Sequence, residues 1–262
     1  LKNLFKIRGS ISRTTSVLIE ISGLVLLFLA WYLVTATGWI SGAILPSPGA
    51  VLRSYHELHF EDYLVRNLWY SIRLNLYGYL EAILIAVPLG FVIGLFPFFR
   101  SLTSRYIDAI RFIPLTAVTG LFIAWFGIET NMKVQFLAFG IIVYLLPVVV
   151  QRIAEVEEIY VQTSYTLGAS AWQTIRSVFM PHVFAKISDD IRVLVAISWT
   201  YIIVAELINK SGGIGSMIFT AARQSRLDKV FALLFVIIAV GFIQDKIFQW
   251  IDKKLFPYKH IR

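Results

Sequence analysis

Six runs of apolar residues, most close to the length that crosses a lipid bilayer, divide this chain: Val17 to Thr37, then residues 71–99, 112–128, 133–150, 191–208 and 230–251. About 20 apolar residues in a helix span the hydrocarbon layer. Inside that layer no water satisfies a peptide N–H or C=O, so each run must close its own hydrogen bonds as a helix. The composition agrees. Apolar residues make up 58% of the 262 and charged residues 15%, against roughly 45–50% and about 25% in a soluble domain. No stretch of about a hundred residues lacks such a run, so the expectation is an all-α integral membrane protein. Residues 1–262 would form one transmembrane domain of six transmembrane helices.

The first run follows Lys2, Lys6, Arg8 and Arg13. Its apolar core exceeds the roughly 7–15 residues of a cleaved signal and no A-x-A site closes it, so it is assigned as the first span. Leu45-Pro46-Ser47-Pro48-Gly49 then predicts a turn with Pro48 at the first position of a new helix. Val51, Leu52, Tyr55 and Leu58 recur at helical spacing and predict a surface-lying amphipathic helix. His56 and His59 are three apart with no third ligand close by, so no metal site is assigned.

Glu81 is the deepest charge of the second run, and an intramembrane carboxylate is either functional or the structural partner of a neighbouring helix. Gly90 and Gly94 form a small-xxx-small pair suited to close helix contact. Pro114 breaks a basic turn marked by Arg100, Arg105 and Arg111. Whether Leu115 to Ile128 crosses the bilayer decides the parity of the topology; two antiparallel spans joined at Glu129-Thr130-Asn131 is the expectation. Glu206 closes the fifth run, near its outer end, as a gate or a fold-holding residue. The glycines of Asn209-Lys210-Ser211-Gly212-Gly213-Ile214-Gly215 match no phosphate-loop spacing.

Residues 152–190 are too polar to cross. Within them, Tyr160 to Ile187 predicts two short helices around a tight turn, Leu167-Gly168-Ala169-Ser170, with the second stopped at Pro181. With both termini inside and six crossings, Arg53, Arg66, Arg73, Lys133, Lys210, Arg223, Arg226 and Lys229 fall outside. The other 16 of the 24 Lys and Arg fall inside, as the positive-inside rule requires. The polar stretch is then cytoplasmic.

The formal charge of +8 is accounted for by such loops and by anionic headgroups, with no nucleic-acid partner. Without cysteine there is no disulfide, thiolate metal site or cysteine nucleophile. No grouping of catalytic residues emerges, and no nucleotide-binding loop. What remains is permeation or scaffolding, energised by a gradient or by a partner.

Tyr165-Thr166-Leu167-Gly168-Ala169-Ser170-Ala171-Trp172-Gln173, with Pro181 thirteen residues after the glycine, resembles the cytoplasmic signature loop of the permease subunits of ABC importers. Leu45-Pro46-Ser47-Pro48, Ile113-Pro114-Leu115, Trp125-Phe126-Gly127-Ile128, Ala205-Glu206-Leu207-Ile208 and Gly213-Ile214-Gly215 are similar to the binding-protein-dependent branch importing nitrate, sulfonates, taurine or bicarbonate. The resemblance covers Leu45 to the C-terminus. At the family's Glu-Ala-Ala this chain has Gln162-Thr163-Ser164, a neutral amide in place of the acid. The resemblance implies a type I ABC importer (MetI-like) fold with a cytoplasmic coupling helix, in a bacterial inner membrane. It implies a second permease copy as a homodimer, ABC ATPase subunits that hold ATP-Mg, and an extracytoplasmic solute-binding protein. This chain itself would bind no cofactor.

Leu167, Gly168, Ala169, Ser170, Trp172, Gln173 and Arg176 would dock the ATPase. Thr116, Thr119, Ser198, Thr200 and Tyr201, hydroxyls within apolar runs, are candidate pathway groups together with Glu81 and Glu206. With no Lys or Arg mid-span in the third to fifth runs, an anion would meet hydroxyls and backbone donors only. A gradient-driven transporter or channel acting without an ATPase, its coupling site at Glu81, is the alternative.

Overall fold

The computed structural model describes residue 9 and residues 11–208 and 212–260; Lys2, Lys6 and Arg8, the Asn209-Lys210-Ser211 part of the glycine loop, and Arg262 lie outside them. Every regular element among the described residues is a helix. Five helices are long and apolar enough to cross a membrane: α1 (Arg13–Ala36), α3 (Leu64–Leu95), α6 (Thr130–Ala154), the continuous stretch Ala171–Ile208, and α11 (Leu227–Leu255). A further candidate crossing is a bent pair, α4 (Pro97–Ile110) and the segment Leu115–Phe126, which meet at 95°. That segment is a 3-10 turn (Leu115–Val118) followed by α5 (Thr119–Phe126).

The chain divides into two compact units. The first comprises residues 1–62 and 220–234. Here α2 (Pro48–Phe60) starts as its sequence predicts, with Ser47 capping the Ala50 N–H and Pro48 in the first turn. It does more than lie on a surface. Glu57 pairs with Arg226 (2.9 Å) and Lys229 (3.2 Å), and Lys229 also takes Asp62 (2.6 Å). Arg226 and Lys229 hold the Glu57 carboxyl below the usual range. Tyr55 donates to the Ala232 carbonyl at 3.0 Å, strapping α2 to the start of α11. His56 and His59 flank Phe60, with ring centroids 4.8 and 4.7 Å away.

The second unit comprises residues 63–219 and 235–262, and its core is α3, α6 and α9 (Met180–Ile208). Three glycines of α3 lie against α6: a Cβ on Gly78 would stand 2.8 Å from Leu137, one on Gly90 2.5 Å from Val149, and one on Gly94 2.7 Å from Ile153. Each partner is 59 positions further along. A constant offset means that α3 and α6 run parallel, so the chain between them returns to its starting side through the bent pair.

By contrast α9 runs antiparallel to both. Glu206 meets Ser71, Ser198 meets Asn75, and Asp190 meets Arg152. The far half of α11 is antiparallel to α9, through Trp199 to Gln244 (2.6 Å) and contacts of Arg192 with Asp245 and Ser188 with Asp252. One face of this unit therefore carries the end of α3, the start of α4, residues 155–180 and the end of α11. The opposite face carries Lys133, Glu206 and Gly213.

The second run differs from its expected limits, since α3 ends at Leu95 and, after an extended Phe96, Pro97 begins a new helix. The third run is not one straight helix: eight residues of α5 reach only about 12 Å. Pro88 and Pro147 sit inside α3 and α6, which continue through them.

Gly90→Val should cost about 1–3 kcal/mol, as overpacking a close contact does. Gly23→Ala on α1, where nothing stands within 4 Å, should be neutral or slightly stabilising. Thermal unfolding of the two variants in detergent measures the difference.

Candidate functional site

The polar stretch forms α7 (Glu158–Thr166), a four-residue turn, and α8 (Ala171–Thr174). The turn satisfies its own backbone. Gly168, at φ +79°, takes the left-handed conformation that glycine adopts without strain. Its N–H donates to the Tyr165 carbonyl (2.9 Å) and that of Ala169 to Ser164 (3.0 Å), a Schellman motif. Directly after it, Ser170 Oγ accepts from the Gln173 N–H while Gln173 Oε1 accepts from the Ser170 N–H at 2.7 Å, a capping box. Ser164 and Thr174 hydroxyls join the two helices at 2.9 Å. Leu167 is 81% exposed and Trp172 66%, so a rigid turn presents an apolar knob with Arg176 exposed beside it.

Pro181 does not end the second helix. Residues Ile175–Phe179 form a π turn, whose extra residue accommodates a proline that can neither donate nor tolerate the carbonyl four positions back. The helix runs from Ala171 to Ile208 unbroken, so the knob sits at the end of a rod that continues into the membrane.

An ion network fixes the base of this element. Arg152 forks onto Asp190 through two 2.8 Å bonds and reaches Glu155 at 2.9 Å, and Glu155 accepts from Lys186 at 3.0 Å. The Arg152 guanidinium and the Lys186 ammonium hold the Glu155 carboxyl at about 2. Gln162 is exposed at the position of the family's acid.

Of the pathway candidates, Thr116, Thr200 and Tyr201 come together around a cavity of about 220 Å³ between the corner after α4, α6 and α9. Gly140 makes the room: a Cβ there would stand 2.8 Å from both Leu115 and the Tyr201 ring. Two residues missed in the sequence join them in the lining, Tyr144 and Arg111. From the sequence Arg111 is an inner basic residue; the break at Pro114 brings it into the same lining as these hydroxyls. A second cavity of about 400 Å³ continues from Arg111 and Tyr144 past Arg100, Ser104 and Gln151.

Thr119 is half-buried and outside both linings. Ser198 is a correction: fully buried, it lies 3.0 Å from Asn75 and 2.7 Å from the Val195 carbonyl, joining helices away from the cavities. Glu81 accepts from Gln135 of α6 at 3.0 Å.

Glu206 is fully buried and holds the fold at the opposite face, accepting from Ser71 (2.6 Å) and the Gly215 N–H (2.7 Å). A Cβ on Gly213 would fall 2.2 Å from its carboxylate, which is why glycine stands there. Lys133, also fully buried, places its ammonium 5.3 Å from the Tyr70 ring centre and acts attractively on Glu206.

Residues 86–257, more than half of the chain, match the family described as "binding-protein-dependent transport system inner membrane component". The chain belongs to this family: it is the permease subunit of a binding-protein-dependent ABC importer, a transport component without a catalytic domain. It is 29% identical over 234 residues to the putative aliphatic sulfonates transport permease protein SsuC of Bacillus subtilis, covering 88% of this chain and 83% of that protein. It is 26% identical over 258 residues to the taurine transport system permease protein TauC of Escherichia coli, covering 97% and 93%. Among solved structures, the inward-facing MetNI methionine ABC transporter is similar at a TM-score of 0.64 and 14% identity, over 74% of this chain and 95% of that one. The fold is thus that of MetI-type importer permeases.

Glu155 gives a pH prediction. A folded pKa of about 2 against an ordinary 4.5 means that its contribution is complete above pH 4.5 and disappears as the pH falls from there to about 2. The Tm difference between wild type and Glu155→Gln should be constant from pH 5 to 8, equivalent to about 1 kcal/mol or less for a partly exposed network, and vanish near pH 2.

Proposed function

We propose that the chain works as a homodimer that receives a small anionic solute from an extracytoplasmic binding protein and releases it into the cytoplasm when two partner ATPases, which hold the ATP-Mg, close. The chain itself holds no cofactor in this reading. The nearest functional clues to the solute are the sulfonate and taurine names of its relatives, with nitrate and bicarbonate in the same chemical class. The observation that carries the proposal is the knob of Leu167 and Trp172, exposed on a turn whose hydrogen bonds are internally complete and which begins a helix unbroken to Ile208. A mobile loop would absorb a push, whereas a rod transmits it. Apolar side chains exposed on a rigid polar element fit a protein partner.

The face that carries this turn also carries Arg100, Arg105, Arg176, Lys253 and Lys254, which supports a cytoplasmic assignment under the positive-inside rule. Both termini would then be cytoplasmic, in a bacterial inner membrane. ATPase docking is assigned to Leu167, Gly168, Ala169, Ser170, Trp172, Gln173 and Arg176. Thr116, Thr200 and Tyr201 are assigned to the pathway.

Purification with its partners should co-isolate an ATPase. Gly168→Asp adds a charge and a side chain at a positive φ, so the assembled complex should lose solute uptake at least tenfold while ATP hydrolysis continues. Uptake at the original rate in that variant would refute the docking assignment. Uptake by this chain alone, with no ATPase, would establish the gradient-driven alternative.

A further inference from the structure

These two cavities of the second unit lie along α6, one between residues 136 and 144 and the other between 144 and 154. They share two lining residues, Arg111 and Tyr144. The upper cavity has no acidic residue in its lining, and Arg111 is its one charged lining residue. Its remaining polar atoms are hydroxyls of Thr116, Tyr144, Thr200 and Tyr201, set among phenylalanine and aliphatic side chains. The lower cavity is lined by Arg100 and Arg111 against Asp108 alone, a net positive wall. Asp108 Oδ1 holds the Arg111 guanidinium at 2.6 Å, yet the arginine side chain stays 44% exposed. Charged groups at membrane depth face protein or water rather than acyl chains.

We propose that Arg111 and Tyr144 form an anion-selecting neck between two successive solute positions of the inward pathway. The solute class is a small oxyanion with a short apolar portion, its charged end on Arg111 and the donor hydroxyls and its apolar end against the upper wall. Asp108 competes with the solute for Arg111, which keeps the site weak and lets the anion move on into the lower cavity. This rests on the importer reading above, but its test does not depend on knowing the solute.

The chain contains no cysteine, so a single thiol reports on one place. In membrane vesicles holding the complex with its partner subunits, Thr200→Cys would be labelled with an anionic sulfonatoethyl thiosulfonate and with its cationic trimethylammonium counterpart. Both rates would be normalised to a free thiol. Thr200→Cys should favour the anionic reagent about tenfold, in the direction set by a guanidinium in the same lining and reduced in size by its pairing with Asp108. Arg111→Gln should abolish that preference and Arg111→Lys retain it, while a control thiol at the exposed Ser41 shows none of these changes. No labelling at Thr200→Cys would mean that lipid or protein fills the groove, and would overturn the proposal. So would a preference unaffected by Arg111→Gln. Taurine uptake separates the two levels: a wild-type complex that labels as expected but imports no sulfonate keeps the neck and removes the sulfonate assignment.

Discussion

The fork of Arg152 onto Asp190 and Glu155 is the interaction on which the working half of this molecule depends. It lies where α6 leaves the membrane beside the antiparallel α9, and Lys186 closes it from the second helix. Partly exposed pairs contribute little individually, but here the geometry matters more than the energy. Because the ends of α6 and the following rod are tied, the intervening α7 and α8 form a short loop on a fixed base. With Schellman and capping-box bonds already complete in the turn, little compliance remains between Leu167 and the core.

The core itself is set by backbone proximity. In a bilayer, helices gain no hydrophobic drive from one another, so close packing at small residues takes that place. Gly78, Gly90 and Gly94 admit Leu137, Val149 and Ile153 at one constant offset, and that offset orients two helices in parallel. A parallel pair needs a return crossing. The chain makes that return through a helix broken at Arg111 to Pro114, and the break places the Arg111 side chain in a lining shared with α6.

At the opposite face a different chemistry holds the chain. Glu206 receives a hydroxyl and a backbone N–H, Asn67 accepts from the Gly213 N–H at 2.9 Å, and Ser71 accepts from Ile214 at 2.9 Å. Glycines at 213 and 215 are required because the carboxylate and the α9 backbone fill the space that side chains would need. Gly213 and Gly215, whose spacing matches no phosphate loop, lie instead against a buried carboxylate of their own chain.

Much of this was legible in the residues. The apolar runs, the polar interruption between the fourth and fifth, the cap at Ser47 and the turn at Gly168 all follow from local patterns, since helix formation and capping depend on neighbours within a few positions. The signature loop likewise carried the family resemblance. Local pattern failed at Pro181, where a π turn five residues long preserves a helix that proline usually stops. It failed too for Ser198 and Arg111, because whether a side chain faces a cavity or a neighbouring helix depends on packing between segments tens of residues apart. The sequence by itself determined that this is a helical membrane protein whose signature loop resembles that of importer permeases. Only the tertiary structure decided the parallel direction of α3 and α6, the hydroxyls that share a cavity and the arginine beside them, for these follow from the relative direction and rotation of packed helices.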